Sequence, residues 1–153
     1  MQEFSEEIIH FFQIQGFVIV STLDEDGSIH NSCKGIVKIE SKGQVYLFDL
    51  YKARTFQNLQ SNPTISLTAV EEHKFQGYCL KGKGKIVETE DLKPEIVALW
   101  DDKITARATK RMIKNIHEEK GHPAHPEILL PKPEYLIVVE VEEIINLTPG
   151  KMR

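Results

Sequence analysis

The sequence lacks the features that stabilise secreted proteins or insert a chain into a membrane. Its 153 residues include only 2 cysteines, too few for a disulfide framework, which favours a reduced, cytoplasmic setting. The uninterrupted apolar runs are far shorter than the ~20 residues of a membrane-spanning helix. Residues 1–13 contain three glutamates and no cluster of basic residues, so neither a signal peptide nor a transit peptide is expected.

An excess of positive charge is also missing. The chain has 19 Lys+Arg against 23 Asp+Glu, and its formal net charge of −4 makes nucleic acid an unexpected partner. The composition is globular, with 41% hydrophobic and 27% charged residues, which excludes a disordered protein. A length of 153 residues predicts one domain, residues 1–153, that is large enough to fold without a disulfide or a metal.

Turn signals and alternating apolar residues predict a sheet of six short strands. The strongest turn is Asp24-Glu25-Asp26-Gly27, and the predicted strands cover residues 17–23, 28–39, 44–49, 64–71, 75–87 and 135–144. Strands at this spacing predict a small closed antiparallel sheet, whereas a Rossmann sheet would need helices between its strands. Helices are predicted from Ser5 to Gly16, over 53–60, from Thr89 to Trp100 and over about 102–120, and residues 121–134 are predicted to be extended.

A strand end, a short basic loop and a helix start follow one another in the segment FDLYKARTFQNL, residues 48–59. The amides of the helix start, the positive end of its dipole, the Arg54 guanidinium and the Thr55 hydroxyl would converge on one point. Such a point is suited to binding a phosphate monoester. The alternative is an ordinary basic helix start in which Thr55 caps the helix.

The second strand carries Asn31-Ser32-Cys33-Lys34-Gly35 in its middle. Because a strand alternates its faces, Ser32 and Lys34 project one way and Cys33 projects the other. A lysine at this place is either solvated or serves a bound anion. Cys33 has no partner in the sequence that would form a nucleophile–base pair with it, and no motif specifies a catalytic residue.

The fifth strand contains Gly82-Lys83-Gly84, which lacks the third glycine of a dinucleotide-binding loop. Such glycines are typical of a bulge, or of close approach by another backbone or a flat ligand. Lysines recur with a period of two along one face of this strand, which is typical of a solvated or edge face; they are Lys81, Lys83 and Lys85.

Two further groups of side chains have several candidate roles. A basic stripe on the last predicted helix is either a solvated face or a surface for a phosphate, an acidic partner or nucleic acid; it consists of Arg107, Lys110, Arg111 and Lys114. Three histidines beside prolines are candidate metal ligands, but zinc sites use four closely spaced ligands, so no metal site is predicted; they are His117, His122 and His125.

The order of these segments resembles the FMN-binding split β-barrel proteins related to pyridoxamine 5′-phosphate oxidase. The resemblance covers about residues 5–90 well and the last strand more loosely. Its most specific part is the middle segment, in which a strand, a short loop, a basic residue beside Ser or Thr, a helix and an NP dipeptide precede the next strand. The matching segments are FVIVSTLDEDGSIHNS, KGIVKI, VYLFDLYKARTFQNLQSNPTISLT and FQGYCLKGKGKIVE.

This resemblance implies a fold, a cofactor and a partner. The fold would be α+β and mainly β, a six-stranded antiparallel Greek-key split β-barrel with flanking helices. The chain would form a homodimer with FMN at the interface. By position, Arg54 and Thr55 would hold the FMN phosphate with Lys52 close by, Ser32, Cys33 and Lys34 would run along the ribityl chain and ring, and Asp49 and Leu50 would approach the ring through their backbone groups.

The chain also departs from the oxidases that it resembles. Gly77 stands where they have a glutamine that contacts the flavin, and the final residues NLTPGKMR lack their arginine-rich RLxP motif. The resemblance therefore implies an FMN-dependent oxidoreductase of unknown substrate rather than a vitamin-B6 oxidase. The alternatives are a non-enzymatic FMN binder for electron transfer or redox sensing, a deazaflavin-binding reductase, and an interaction module that uses the basic stripe.

Overall fold

The structure is a computed structural model that describes residues 1–116 and 133–153, and within these ranges the side chains of all but residues 89 and 107–116. Its strands are β1 (Val18–Leu23), β2 (Ile29–Glu40), β3 (Gln44–Asp49), β4 (Thr64–Glu71), β5 (Gln76–Glu88) and β6 (Tyr135–Asn146). Its α-helices are α1 (Glu6–Gln13), α2 (Arg54–Ser61) and α3 (Pro94–Ile116).

The six strands close into one antiparallel barrel, in the order β1-β2-β3-β6-β5-β4. The strands β1, β2 and β3 form a meander and β4 and β5 form a hairpin, because short turns connect them. The last strand, β6, inserts between β3 and β5, and β1 pairs with β4 to close the barrel. This arrangement confirms the predicted six-stranded antiparallel barrel with flanking helices.

Alternating residues of the strands fill the inside of the barrel. Along β1, for example, Val18 and Val20 are buried whereas Ile19 between them is exposed. The helix α1 lies by the β2–β3 turn and adds Phe11, whose ring contacts Tyr78 edge to face at 5.0 Å. The helix α2 packs against β1, β2 and β5. The barrel is thus filled by its own side chains, so a ligand must bind outside this core.

The glycines of β5 are explained by contacts within the chain. At Gly82 the register between β5 and β6 shifts, and an added Cβ would lie 1.9 Å from the Glu140 carbonyl oxygen. At Gly84 an added Cβ would meet the Leu59 side chain of α2 at 3.2 Å. The prediction of a bulge or a close approach is confirmed here, and the groups that approach Gly82 and Gly84 belong to this chain.

The prediction of two helices between residues 89 and 120 was wrong. Residues Thr89–Asp91 form a 3₁₀ turn, and one continuous helix runs over Pro94–Ile116. Pro94 is the first residue of this helix. A backbone N–H at the first position has no carbonyl partner within the helix, so a proline there costs no hydrogen bond. Asp101-Asp102 does not break it, because no glycine or proline accompanies these residues. In the described ranges, no helix is both long and apolar enough to cross a membrane.

Candidate functional site

A pocket of about 430 Å³ lies between β2, the end of β3, the start of α2 and one face of α3. This volume is within the usual range of small-molecule sites. Seven of the eight predicted site residues line it: Ser32, Cys33, Lys34, Asp49, Leu50, Arg54 and Thr55. Residues far apart in the sequence thus meet at one place, where they form a polar end that is suited to an anion (the anion-binding end) and an apolar wall.

The anion-binding end is the start of α2. Arg54 is the first residue of this helix, and Ala53 precedes it in a non-helical conformation. None of the described side chains caps the helix, and its first turn contains no acidic residue. Its first backbone N–H groups and the positive end of its dipole therefore remain for a ligand. Thr55 lies inside the helix, so the alternative in which it is the cap was wrong.

Two hydroxyl groups and a guanidinium complete this end. The Ser32 Oγ and Thr55 Oγ1 atoms lie 3.1 Å apart and join β2 to α2. One of the two hydroxyls donates to the other, so the accepting hydroxyl keeps its own hydrogen for a ligand. Arg54 has a side chain that is 63% exposed and lies 3.9 Å from Asp24 Oδ2, a long contact that leaves its guanidinium available.

The position of α2 is fixed by a buried amide. The Asn58 side chain donates to Asp24 Oδ1 at 2.9 Å and to Thr22 Oγ1 at 3.0 Å. Because Thr22 belongs to β1 and Asp24 follows it, these bonds hold the helix against the barrel. The residues predicted from the sequence include seven that line the pocket but not this anchoring amide.

A buried ion pair lies beside the anion-binding end. The strand register places Lys34 of β2 beside Asp49 of β3, and Tyr135 of β6 directly opposite Asp49. The Lys34 Nζ lies 2.8 Å from Asp49 Oδ2, and the Tyr135 hydroxyl donates to the same oxygen. Burial, and then this bond to Asp49, raise the pKa of Tyr135 above its ordinary value. Lys34 is thus neither solvated nor unpaired.

The rest of the pocket wall is largely apolar and combines side chains from the end of β3, the loop after it and α3. Trp100 contacts the Phe48 ring edge to face, with 5.6 Å between the ring centroids, and Ile104 lies one turn further along. Lys103 donates to the Ile36 carbonyl oxygen, and its Nζ would be 2.9 Å from a Cβ at Gly35. This wall was not predicted from the sequence, because no motif links Trp100 to Phe48, 52 positions earlier.

Lys52 is the predicted site residue that does not line the pocket. Its Nζ lies 2.8 Å from Glu88 Oε2 and 5.2 Å from the centroid of the Phe56 ring. The Glu88 carboxylate raises the pKa of the Lys52 ammonium. The loop after β3 therefore turns Lys52 towards β5 and away from the anion-binding end.

The sequence also offered histidine, basic and cysteine side chains as candidates. His117, His122 and His125 lie outside the described residues, and the basic stripe of Arg107, Lys110, Arg111 and Lys114 lies on the part of α3 whose side chains are not described. Over 1–116 and 133–153 there is no group of three or more His, Cys, Asp or Glu side chains that could hold a metal. Cys33 and Cys79 are both free thiols.

Solved structures of other proteins share this fold. HupZ of Group A Streptococcus is 16% identical, with a TM-score of 0.65 over 96% of this chain and 96% of that chain. A pyridoxamine 5′-phosphate oxidase-related, FMN binding protein of Nostoc punctiforme is 12% identical, with a TM-score of 0.60 over 92% of this chain and 79% of that chain. An F420 reductase is 11% identical, with a TM-score of 0.59 over 95% of this chain and 98% of that chain.

Sequence comparison shows the family directly. No curated protein matches the chain. The family model described as pyridoxamine 5′-phosphate oxidase matches residues 4–145. This range includes all six strands of the barrel except Asn146, the last residue of β6. The chain therefore belongs to the pyridoxamine 5′-phosphate oxidase family.

Proposed function

We propose that this protein binds FMN in the pocket at the start of α2 and acts as an oxidoreductase. The observation that carries the proposal is that one pocket combines an uncapped helix start with Arg54 and an aromatic wall around Trp100. A phosphate ester of a flat ring needs both features at the two ends of one site. FMN, when bound, supplies the electron transfer, and the protein residues bind and orient it.

The phosphate group fits the anion-binding end. A phosphate at a helix start accepts hydrogen bonds from backbone N–H groups and gains from the helix dipole. Arg54 adds a charged donor, and the Ser32–Thr55 pair adds a hydroxyl. No acidic side chain lies in the first turn of α2 to repel the phosphate.

The ring fits the remainder of the pocket. Lys34 follows Ser32 by two residues on β2, about 7 Å further along the strand. Beyond it the walls are formed by Phe48, Leu50 and Trp100, which offer apolar contacts to a flat ring. The described part of the pocket contains no side chain that we assign as a catalytic acid or base.

Vitamin B6 is not the substrate that we propose. Gly77 is buried, and an added Cβ would lie 3.1 Å from the Ala69 carbonyl oxygen and 3.4 Å from Leu147 Cβ. A side chain at this position would require its neighbours to shift by a few tenths of an ångström, so the chain has a tightly packed glycine where the oxidases that it resembles have a glutamine. Its final residues also lack their arginine-rich motif.

We also propose that a second copy of the chain covers the pocket. Cys33 lines the pocket and lies opposite Ile19 of β1, which in turn lies opposite Thr68 of β4. Ile19 is 46% exposed, and Val70 on the same face of β4 is 60% exposed. This uncharged face continues from the pocket. A two-fold related copy that packs on it would therefore bury Ile19 and Val70 together with the pocket.

The cofactor is tested by titrating the purified protein with FMN, riboflavin and F420, and by measuring the mass of any small molecule released on denaturation. The proposal expects uptake of FMN near one per chain with quenching of its fluorescence. Preference for F420 would favour a deazaflavin reductase, for which the same phosphate end would serve. A protein that ignores FMN at tens of micromolar contradicts the proposal.

Activity and assembly need separate measurements. Turnover of FMN-loaded protein with NADH or NADPH distinguishes an oxidoreductase from a protein that only carries electrons or senses redox state. Light scattering at increasing dilution, with and without FMN, tests the dimer, because a ligand that binds only the dimer must stabilise it. A monomer that holds FMN at full affinity contradicts the shared site while leaving FMN binding intact.

A further inference from the structure

The wall of the pocket contains a pair of opposite charges that is almost fully enclosed. The side chains of Lys34 and Asp49 are 8% and 12% exposed, and their Nζ and Oδ2 atoms are 2.8 Å apart. Tyr135, which is fully buried, donates to the same Oδ2 atom from the other side. Both charged residues line the pocket, whereas Tyr135 does not.

Folding alone does not require this pair. Removing two charges from water costs free energy that their attraction often fails to recover, and apolar pairs of similar volume are commonly as stable. The neighbour of Lys34 on β1 is Val18, a buried apolar residue, so the barrel accommodates apolar side chains at this level. An ion pair kept at the wall of a binding pocket therefore points to a role towards the ligand.

The pair also differs from the other charged groups around the pocket. Arg54 lies at the anion-binding end, and Lys103 donates to the Ile36 carbonyl oxygen. His30 is the remaining basic side chain of the described lining, and Asp49 is the one acidic side chain of that lining. Among the described residues that line the pocket, Lys34 is thus the cation that directly contacts a carboxylate of the same lining.

We propose that Lys34 and Asp49 together set the reduction potential of the bound flavin, a role that rests on the FMN site proposed above. Uptake of two electrons from a reductant and one proton from water adds one negative charge to FMN. The Lys34 ammonium attracts this added charge, and the Asp49 carboxylate opposes it. Because the pair is enclosed, little solvent screens either effect.

The proposal predicts shifts of opposite sign from two single substitutions. Lys34→Met leaves Asp49 as the unbalanced charge, so the affinity for reduced FMN relative to oxidised FMN should fall about tenfold. That ratio corresponds to a midpoint potential about 30 mV lower for a two-electron couple. Asp49→Asn leaves Lys34 unbalanced, so the potential should rise by a similar amount. The double variant restores a neutral wall and should return towards the wild-type value.

The measurement is a dithionite titration of the FMN-loaded protein against dyes of known potential. Lys34→Gln should lower the potential as Lys34→Met does, and Asp49→Thr should raise it as Asp49→Asn does. Lys38→Met is the matched control, because Lys38 lies on the same strand in an ion pair of 2.7 Å with Glu40, but is 43% exposed and does not line the pocket. Solvent screening should leave the potential of this variant close to that of the wild type.

The outcomes separate this inference from the proposed function. Shifts of opposite sign that cancel in the double variant support it. Shifts of the same sign, or none, in protein that still binds FMN overturn this inference and leave the FMN site intact. If all the single variants fail to fold while the double variant folds, the pair serves stability, and this inference is overturned as well. A wild-type protein that takes up no FMN overturns both proposals.

Discussion

The hydroxyl groups of Ser32 and Thr55 lie 3.1 Å apart and join the second strand of the barrel to the first turn of α2. Thr55 is buried, so this contact fixes where the helix start points. It also places a strand residue within the anion-binding end, although 23 residues separate the two in sequence. The end of the pocket that we propose for the phosphate is therefore built by tertiary contact as well as by the local helix start.

Arg54→Ala tests the phosphate end. Removal of a charge-assisted hydrogen bond costs roughly 1.5–3 kcal/mol, so the affinity for FMN should fall about 10- to 150-fold. Riboflavin has no phosphate, and its affinity should hardly change. Fluorescence titration with both ligands measures the two effects. Equal losses for FMN and riboflavin would show that Arg54 acts on the fold or the ring instead.

Trp100→Ala tests the apolar wall and should affect FMN and riboflavin without selectivity. Loss of an aromatic contact of about 1 kcal/mol should weaken FMN and riboflavin alike, by roughly fivefold. Val97→Ala is the control, because Val97 lies on the same helix, is 39% exposed and does not line the pocket. A loss confined to FMN would place Trp100 at the phosphate end and contradict the assignment of the wall.

Gly82→Ala tests the junction of β5 and β6. The added Cβ would lie 1.9 Å from the Glu140 carbonyl oxygen, so the two backbones must separate. Overpacking of this kind should lower the free energy of unfolding by about 3 kcal/mol or more. Gly16→Ala is the matched control, because nothing lies within 4 Å of its added Cβ. Urea unfolding measures both, and equal stability of the two variants would contradict the close approach.

The raised pKa of Tyr135 predicts that the protein loses stability at alkaline pH. Burial and the bond to Asp49 raise the pKa of this hydroxyl above its ordinary value of 10.0. Below about pH 10 the hydroxyl is protonated in the folded and the unfolded chain, so its stabilisation is complete. Above that pH the unfolded chain releases the proton first, and the free energy of unfolding falls by up to about 1.4 kcal/mol per pH unit.

Urea unfolding between about pH 8 and 11 compares the wild type with Tyr135→Phe, which cannot release this proton. The variant should be less stable at neutral pH, because it lacks the bond to Asp49, and its stability should decline less steeply in alkali. Tyr51→Phe is the control, because Tyr51 is 59% exposed. Parallel declines for the wild type and Tyr135→Phe would show that Tyr135 is not the group responsible.

The parts that could be predicted from the sequence are those that depend on neighbouring residues. Alternation and turn residues are local, and they predicted all six strands within a few residues of their observed ends. The succession of strand end, loop and helix start in residues 48–59 was predictable for the same reason, because the end of β3 and the start of α2 are contiguous in sequence. The continuity of α3 was not predicted, because Asp101-Asp102 resembles the start of a new helix. The helix continues through these residues because no glycine or proline accompanies them.

Tertiary structure alone decided which distant side chains meet. Trp100 reaches Phe48 only because α3 packs against β2 and the end of β3, and no local pattern specifies that packing. The pairing of Lys34 with Asp49 depends on strand register, because a slip of one residue would turn each side chain to the other face. The same loop that sends Arg54 towards the pocket turns Lys52 towards Glu88. Composition and periodicity thus determined the barrel and the local helix start, whereas close packing between remote segments determined the apolar wall of the pocket and the enclosed ion pair.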